Sequence, residues 1–252
     1  MLFRSLREVA APASLGWAGL AALGFGAAGY ALNDLFDTPA DRMNRPAAER
    51  PLAAGRMGRG TAELCVFVGV LVGVVAAALV SGRALLLGLG ALGVMIVYSP
   101  ILKRRGLPGN AAVALVAGLP PFYGALAVGR PAEGVVPWVL AGWAHLAREL
   151  VKDLEDEAGD RALGRRTLPI TLGAERARRI AVVIALGFLP ISLALPWAVG
   201  YGDAYFAFAS IAQVVVVIAA LRLRRGRIAG ASLLLKGAMV AGLIALVAGR
   251  VA

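Results

Sequence analysis

The chain has 252 residues, of which 60% are hydrophobic and 16% are charged, and its mean hydropathy is +0.78. This composition excludes an ordinary soluble domain. The formal net charge is +11, but the basic residues are confined to short stretches between long apolar runs, which argues against nucleic acid as a partner. Cys65 is the single cysteine, so the sequence predicts no disulfide framework and no cysteine metal site.

Eight apolar runs follow in chain order, and a membrane helix requires about 20 residues. The runs are Ala13–Leu32, Leu64–Val80, Ala84–Tyr98, Ala111–Val128, Val135–Leu146, Ile180–Val199, Ala204–Leu221 and Ile228–Ala248. The third and fifth runs are short, and we expect each to continue as helix into its polar flank. The sequence therefore predicts an all-α polytopic membrane bundle of about eight helices, with residues 1–252 forming one domain.

Arginine and lysine are concentrated in every second loop between these runs. The basic loops lie near residues 42–59, 103–105, 148–179 and 222–227, whereas the alternate loops hold little charge. This pattern places the basic loops in the cytoplasm. No small-residue cleavage site follows the first run, so we expect no cleavable signal peptide. We predict an integral protein of a prokaryotic inner membrane, with the site-bearing loops on the cytoplasmic side.

One spacing of aspartates occurs twice, each time at the cytoplasmic end of an apolar run. The aspartates follow one another at steps of three and four residues, at Asp34, Asp37 and Asp41 and again at Asp153, Asp156 and Asp160. On a helix these positions share one face. Pro39 interrupts the first motif, so we expect it to loosen or end that helix and Asp41 to reach the site from the loop.

Clustered carboxylates repel one another unless cations lie between them. Mg²⁺ prefers oxygen ligands and commonly binds through one or two carboxylates together with phosphate oxygens. Basic residues that could grip a diphosphate follow both motifs and lie in the loop between them: Arg42, Arg45, Arg50, Lys103, Arg161, Arg165 and Arg166. Helix capping and topology could explain any one of these residues. They do not explain a spacing that occurs twice on one side of the membrane.

The two motifs and the segment between them resemble the UbiA superfamily of intramembrane prenyltransferases, closest to its digeranylgeranylglyceryl phosphate synthase-like branch. The matching segments are Asn33-Asp34-x-x-Asp37-x-x-x-Asp41-x-x-Asn44-Arg45-Pro46, Tyr98-Ser99-Pro100-x-Leu102-Lys103 with Asn110, and Lys152-Asp153-x-x-Asp156-x-x-Gly159-Asp160 with Gly164-Arg165-Arg166-Thr167. The resemblance implies a helical bundle around a central cavity and the transfer of a prenyl group from a polyprenyl diphosphate to an acceptor.

The resemblance and the charge pattern together give a set of candidate site residues. Mg²⁺ is the expected cofactor, on Asp34, Asp37, Asp41, Asp153, Asp156 and Asp160. The expected catalytic residues are Asp34, Asp37, Asp153, Asp156, Lys103, Tyr98 and Tyr123. The expected substrate-binding residues are Asn33, Arg45, Arg50, Asn110, Arg165 and Glu149. Either tyrosine alone is equally consistent with an ordinary aromatic residue of the membrane interface.

The sequence departs from the family at its start. The family usually has nine membrane helices and its first motif ends the second of them, whereas here the motif ends the first apolar run. Arg4 and Arg7 then lie on the outer side, against the charge rule. We expect either a helix missing from a misassigned start or a shortened member of the family.

The acceptor is less well defined than the donor, for which geranylgeranyl diphosphate is an example. The second motif and Lys236 favour geranylgeranylglyceryl phosphate, with 4-hydroxybenzoate, homogentisate and chlorophyllide as alternatives. His145, Glu149 and Asp153 share a helical face that could position the acceptor, although Glu149 could instead pair with Arg148, Lys152 or Lys236. A membrane transporter is a distant alternative, since its coupling site would lie near the midplane.

Overall fold

A computed structural model describes the backbone of residues 2–44, 50–98 and 100–251, with side chains from 13 to 250 except those of 40, 43 to 49, 99 and 104. The regular elements in these ranges are all helical. They are α1 (Leu2–Asn44), α2 (Arg59–Val80), α3 (Gly82–Tyr98), a 3-10 turn (Leu102–Arg105), α4 (Leu107–Ala117), α5 (Pro120–Ala127), α6 (Pro131–Glu155), α7 (Glu157–Ala162), α8 (Leu168–Leu172), α9 (Ala174–Ala198), α10 (Asp203–Arg224) and α11 (Ala231–Val251).

Within the described ranges, six helical segments are long and apolar enough to cross a membrane. They are Ala13–Pro39, Arg59–Val80, Leu107–Ala127, Ala174–Ala198, Asp203–Arg224 and Ala231–Arg250. The α3 helix is also apolar but has 17 residues. The prediction of an all-α membrane bundle is confirmed, and most residues of each apolar run are helical.

The two short runs behave differently from each other. The run Val135–Leu146 continues as helix to Glu155, as predicted. The run Ala84–Tyr98 continues as helix at its start, through Arg83 to Gly82, and α3 ends at Tyr98. Pro100 follows closely and has no N–H with which to extend the helical hydrogen bonds.

The fourth apolar run is divided between two helices rather than forming one. α4 ends at Ala117, and α5 begins at Pro120. Pro120 and Pro121 lack the N–H groups that would bond to carbonyls one turn earlier. The break between α4 and α5 therefore divides this apolar stretch into two short helices.

The helices form two compact units. The first unit comprises Met1–Leu102 and Leu119–Val135, and it contains α1, α2, α3 and α5. In this unit α1 and α2 approach closely at glycines. A Cβ on Gly24 would lie 2.6 Å from the backbone nitrogen of Gly73 and 2.7 Å from the carbonyl oxygen of Gly69. Such close backbone contact is typical of membrane helices that pack through small residues.

The second unit comprises Lys103–Gly118 and Val136–Ala252. Its main core cluster includes Leu154 of α6, Leu223 of α10 and Leu235 of α11, all at most 5% exposed. Trp143 donates its indole N–H to the carbonyl oxygen of Ile184 at 2.8 Å, which ties α6 to α9. The single-domain organisation and the central cavity stay predictions.

Candidate active site

The first aspartate motif lies on one helix. α1 continues through Pro39 to Asn44, so the expectation that Asp41 belongs to a loop is wrong. A proline removes one helical hydrogen bond, which need not end a helix. The Thr38 hydroxyl donates to the carbonyl oxygen of Asp34 at 2.6 Å and adds a bond to this turn. The backbone therefore places Asp34, Asp37 and Asp41 along one face of α1, as their spacing predicts.

Arg50 folds back onto this acidic face. Its guanidinium donates to the Asp34 carboxylate at 2.5 Å and lies 3.7 Å from the Asp41 carboxylate. Asp37 is 2% exposed, although it begins the last two turns of α1. Arg50 was predicted to bind substrate phosphate, and in the structure its guanidinium lies against the two aspartates.

One oxygen on this face has no hydrogen-bond partner among the described residues. The Oδ2 atom of Asp41 is buried, and the Arg50 guanidinium lies 3.7 Å from it, beyond hydrogen-bonding distance. A buried carboxylate oxygen without a donor is costly to keep. An oxygen without a hydrogen-bond donor is a suitable ligand for a bound cation.

The other expected residues of the first unit lie on three elements. Asn33 precedes Asp34 on α1, and Tyr98 is the last residue of α3. Tyr123 lies on α5 and is 5% exposed, and its hydroxyl has no hydrogen-bond partner in the described part of the chain. Arg45 lies outside the described residues.

The second aspartate motif bends where the first does not. α6 ends at Glu155 and α7 begins at Glu157, with Asp156 between them at φ −98° and ψ 7°. The expectation of one straight helical face is therefore wrong for this motif. Asp favours helix starts over helix interiors, and the adjacent acidic residues repel one another, so a bend at Asp156 is understandable. The hydrogen bonds from Asp156 N to Lys152 O and from Asp160 N to Asp156 O keep the aspartates in consecutive turns.

Asp153 is held by Asn110, which lies 43 residues earlier at the start of α4. The Asn110 amide donates to the Asp153 carboxylate at 2.8 Å, and Asn110 is 4% exposed. Burial raises the pKa of Asp153 to about 7, although the amide bond acts in the opposite direction. The two residues were predicted to belong to one site, and the structure brings them into contact.

Asp160 and Arg165 form a buried ion pair. Their side chains are joined at 2.9 Å and are 3% and 9% exposed. Burial raises the pKa of Asp160, while the hydrogen bond from Arg165 and the charges of Arg165 and Lys103 lower it. Lys103 lies in the 3-10 turn, and its assignment to the site stays a prediction. Arg165 was predicted to bind substrate, and here it is already paired with Asp160.

Glu149 lies one turn before Asp153 on α6 and pairs with its neighbour Arg148 at 2.8 Å. Lys236 lies on an exposed part of α11 and has no carboxylate partner among the described residues. Of the partners considered for Glu149, the structure therefore selects Arg148. His145 is half-buried and lies one turn before Glu149 in α6.

Among the described residues, no three His, Cys, Asp or Glu side chains are grouped closely enough to hold a metal ion by themselves. This arrangement does not suit a closed structural metal site. Mg²⁺ commonly binds through one or two carboxylates and completes its shell with phosphate oxygens and water, so it does not require such a group. Both aspartate motifs, with the incompletely satisfied Asp41, therefore provide suitable donors.

A comparison with known proteins decides the family. The model of the UbiA prenyltransferase family matches residues 2–245. The chain belongs to the UbiA prenyltransferase family. It is accordingly an integral membrane enzyme that transfers prenyl groups.

Curated relatives within this family share more than a third of their aligned residues with the chain. The digeranylgeranylglyceryl phosphate synthase of Halobacterium salinarum (strain NRC-1) is 38% identical over 246 residues, which are 97% of this chain and 86% of the relative. The enzyme of that name from Thermococcus gammatolerans is 38% identical over 198 residues, 79% of this chain and 71% of the relative.

Solved structures show the same fold. A UbiA homologue from Aeropyrum pernix K1 has a TM-score of 0.78 at 23% identity, over 92% of this chain and 88% of that chain. A UbiA homologue from Archaeoglobus fulgidus, bound to DMAPP and Mg²⁺, has a TM-score of 0.69 at 18% identity, over 94% of this chain and 86% of that chain.

Sequence reasoning missed one carboxylate next to the second motif. Glu155 accepts hydrogen bonds from Ser232, 77 residues later in the chain, through the backbone N–H at 3.2 Å and the hydroxyl at 2.5 Å. Periodicity carries no signal for a contact between helices so distant in sequence.

Proposed function

We propose that the chain transfers a prenyl group from a polyprenyl diphosphate, such as geranylgeranyl diphosphate, to the hydroxyl of geranylgeranylglyceryl phosphate. The observation that carries this proposal is the pair of aspartate motifs, each at the end of a helix and each already contacted by a cation or an amide donor. Magnesium and diphosphate are supported by the Archaeoglobus fulgidus homologue, whose structure holds DMAPP and Mg²⁺. The acceptor is supported by the names of the curated relatives.

The aspartates of both motifs are the residues we assign to Mg²⁺. When bound, the metal would stabilise the charge of the departing diphosphate. Asn110 holds Asp153 in place, and Arg165 does the same for Asp160. Fixing ligands in advance in this way avoids an ordering cost when the substrate binds.

Basic residues supply the remaining charge. Lys103 and Arg50 lie beside carboxylates of the two motifs, and each can turn to phosphate oxygens once cations occupy those carboxylates. In the reaction, the bond between the allylic carbon and the diphosphate oxygen breaks. A bond from that carbon to the acceptor oxygen forms, and the proton of the acceptor hydroxyl passes to a base such as the released diphosphate. Apolar helices around the allylic carbon would exclude water as a competing nucleophile.

We infer that the acidic ends of α1 and α6 face the cytoplasm of a prokaryotic cell membrane. The support is the alternation of basic and weakly charged loops along the sequence. Labelling of single introduced cysteines by a membrane-impermeant reagent in intact cells and inverted vesicles would test this orientation.

The acceptor can be identified with purified enzyme, Mg²⁺ and radiolabelled geranylgeranyl diphosphate. Geranylgeranylglyceryl phosphate and 4-hydroxybenzoate would be supplied separately, and lipid products separated by chromatography. We expect a magnesium-dependent product with the glycerol lipid and none with the aromatic acid. Asp34→Ala and Asp153→Ala serve as inactive controls.

Prenylation of 4-hydroxybenzoate alone would move the protein to the quinone-forming branch. Product with neither acceptor, from a folded enzyme that binds the donor, would reject geranylgeranylglyceryl phosphate and direct the search to homogentisate or chlorophyllide. These outcomes concern the acceptor and leave the family unchanged.

A further inference from the structure

The acidic run at the end of α6 contains three consecutive carboxylates with different environments. Glu155 binds Ser232, and Glu157 pairs with Arg161 at 2.7 Å in an i,i+4 pair. Asp156 lies between them at the bend. The sequence alone gives no reason to assign different roles to these adjacent carboxylates. Their different contacts in the structure do.

The contacts of Glu155 are those of a helix cap. Ser232 is the second residue of α11, where backbone N–H groups have no partner within the helix. Gly230 precedes the helix and has no side chain to accept such a bond. Glu155 supplies the acceptor from another helix, and its negative charge is favourable at a helix N-terminus.

This cap lies within a firmly packed part of the second unit. Leu154, next to Glu155, is 5% exposed and belongs to the same core cluster as Ala231, next to Ser232. The cap therefore fixes the last turn of α6 against a buried neighbour. Asp153 lies in that turn, two residues before Glu155, and Asp156 is the residue directly after Glu155.

We propose that Glu155 is a positioning residue for prenyl transfer: it caps α11 and so fixes Asp153 and Asp156, and it is not itself a magnesium ligand. Both Glu155 oxygens accept hydrogen bonds from Ser232, whereas Asp153 and Asp156 are the residues of this segment that we assign to Mg²⁺. This inference rests on the proposed magnesium-dependent function.

The test compares Glu155→Ala, Glu155→Gln, Ser232→Ala and the double variant Glu155→Ala/Ser232→Ala. Glu157→Ala is the matched control, since it removes a carboxylate from the same acidic run. The first readout is Mn²⁺ affinity in the presence of inorganic diphosphate, measured by electron paramagnetic resonance. The second is thermal unfolding without metal, and the third is the rate of prenyl transfer.

Loss of an outer partner of a metal ligand typically weakens metal binding by tenfold or more. We expect Glu155→Ala to weaken Mn²⁺ binding by about tenfold. Ser232→Ala should weaken it by a smaller factor, because the backbone N–H of residue 232 still donates to Glu155. The double variant should be no weaker than Glu155→Ala, because the two residues act through one contact. Glu155→Gln keeps one acceptor oxygen and should recover part of the affinity, whereas Glu157→Ala should bind Mn²⁺ normally.

The proposal is overturned if Ser232→Ala binds Mn²⁺ normally while Glu155→Ala and Glu155→Gln both lose binding, since Glu155 would then be a ligand. It is equally overturned if Glu155→Ala binds Mn²⁺ as the unaltered enzyme does. Non-additive loss of thermal stability in the metal-free double variant reports the Glu155–Ser232 contact separately. Failure of the unaltered enzyme to bind Mn²⁺ with diphosphate would instead reject the proposed function.

Discussion

Arg50 donates to the carboxylate of Asp34 at 2.5 Å, across 16 residues of chain. The same guanidinium lies 3.7 Å from Asp41, so one cation serves two aspartates of the first motif. A positive side chain therefore compensates charge on a face of α1 that would otherwise carry only carboxylates at these positions.

Replacing Arg50 should make the first unit more dependent on metal. We expect Arg50→Gln to lower the thermal unfolding midpoint without Mg²⁺, because the carboxylates of Asp34 and Asp41 lose their shared cation. Added Mg²⁺ should then raise the midpoint by more than it does in the unaltered enzyme. Arg59→Gln, which removes an Arg from an exposed pair with Glu63, is the control. An identical magnesium-induced shift in Arg50→Gln and the unaltered enzyme would count against this account.

The buried pair of Asp160 and Arg165 should contribute strongly to stability when one partner is removed. Arg165→Met leaves a buried carboxylate without its cation, which typically costs about 3–5 kcal/mol. Arg161→Met removes an exposed i,i+4 partner of Glu157 and should cost less than about 0.5 kcal/mol. Unfolding of the detergent-solubilised proteins measures both. Similar stability losses in the two variants would show that the Asp160 pair is not buried in solution.

Much of the fold and part of the site follow from sequence because they depend on local patterns. The apolar runs define the membrane helices, and the three-and-four spacing places Asp34 and Asp37 on one face of α1. Two expectations about helix geometry that rested on local sequence were wrong. Pro39 does not end α1, and Asp156 bends a helix that spacing alone would leave straight.

The partners of charged residues were the least predictable part. Arg165 was expected to bind phosphate, and its observed partner is Asp160. Glu155 meets Ser232 on a helix 77 residues away, a contact set by how α6 and α11 pack. Sequence periodicity gives the face of a helix but does not say which neighbour that face meets.

The bond from Asn110 should set the pH dependence of the second motif. Asp153 must be ionised to bind a cation, and its pKa of about 7 is already high because it is buried. Asn110→Leu removes a donor to the carboxylate and should raise that pKa further. The acidic limb of the rate profile should therefore move to higher pH. For a shift of one pH unit, the ionised fraction at pH 7 falls about fivefold.

The measurement is the rate of prenyl transfer from about pH 6 to about pH 9, because this range includes the titration of Asp153. Val113→Ala, on the same helix, should leave the profile in place. A lower rate in Asn110→Leu at every pH, with no movement of the acidic limb, would mean that Asn110 does not act through Asp153.

Close packing of α1 on α2 makes a clear steric prediction. A Cβ at Gly24 would lie 2.6 Å from the Gly73 nitrogen, whereas a Cβ at Gly26 would meet nothing within 4 Å. We expect Gly24→Ala to destabilise the protein by about 1–3 kcal/mol, because backbone must move to make room. Gly26→Ala should be neutral or slightly stabilising. Equal unfolding midpoints for the two variants would be inconsistent with this helix contact.

The central claim is that the two aspartate motifs bind a prenyl diphosphate through Mg²⁺. The most direct measurement is calorimetric titration of geranylgeranyl diphosphate into the purified enzyme with Mg²⁺ and with a chelator, for the unaltered chain and for Asp34→Asn and Asp153→Asn. The account predicts tight binding only with Mg²⁺, and a loss of about tenfold or more in each variant. Binding that is equally tight in chelator, or unaffected by both substitutions, would contradict it.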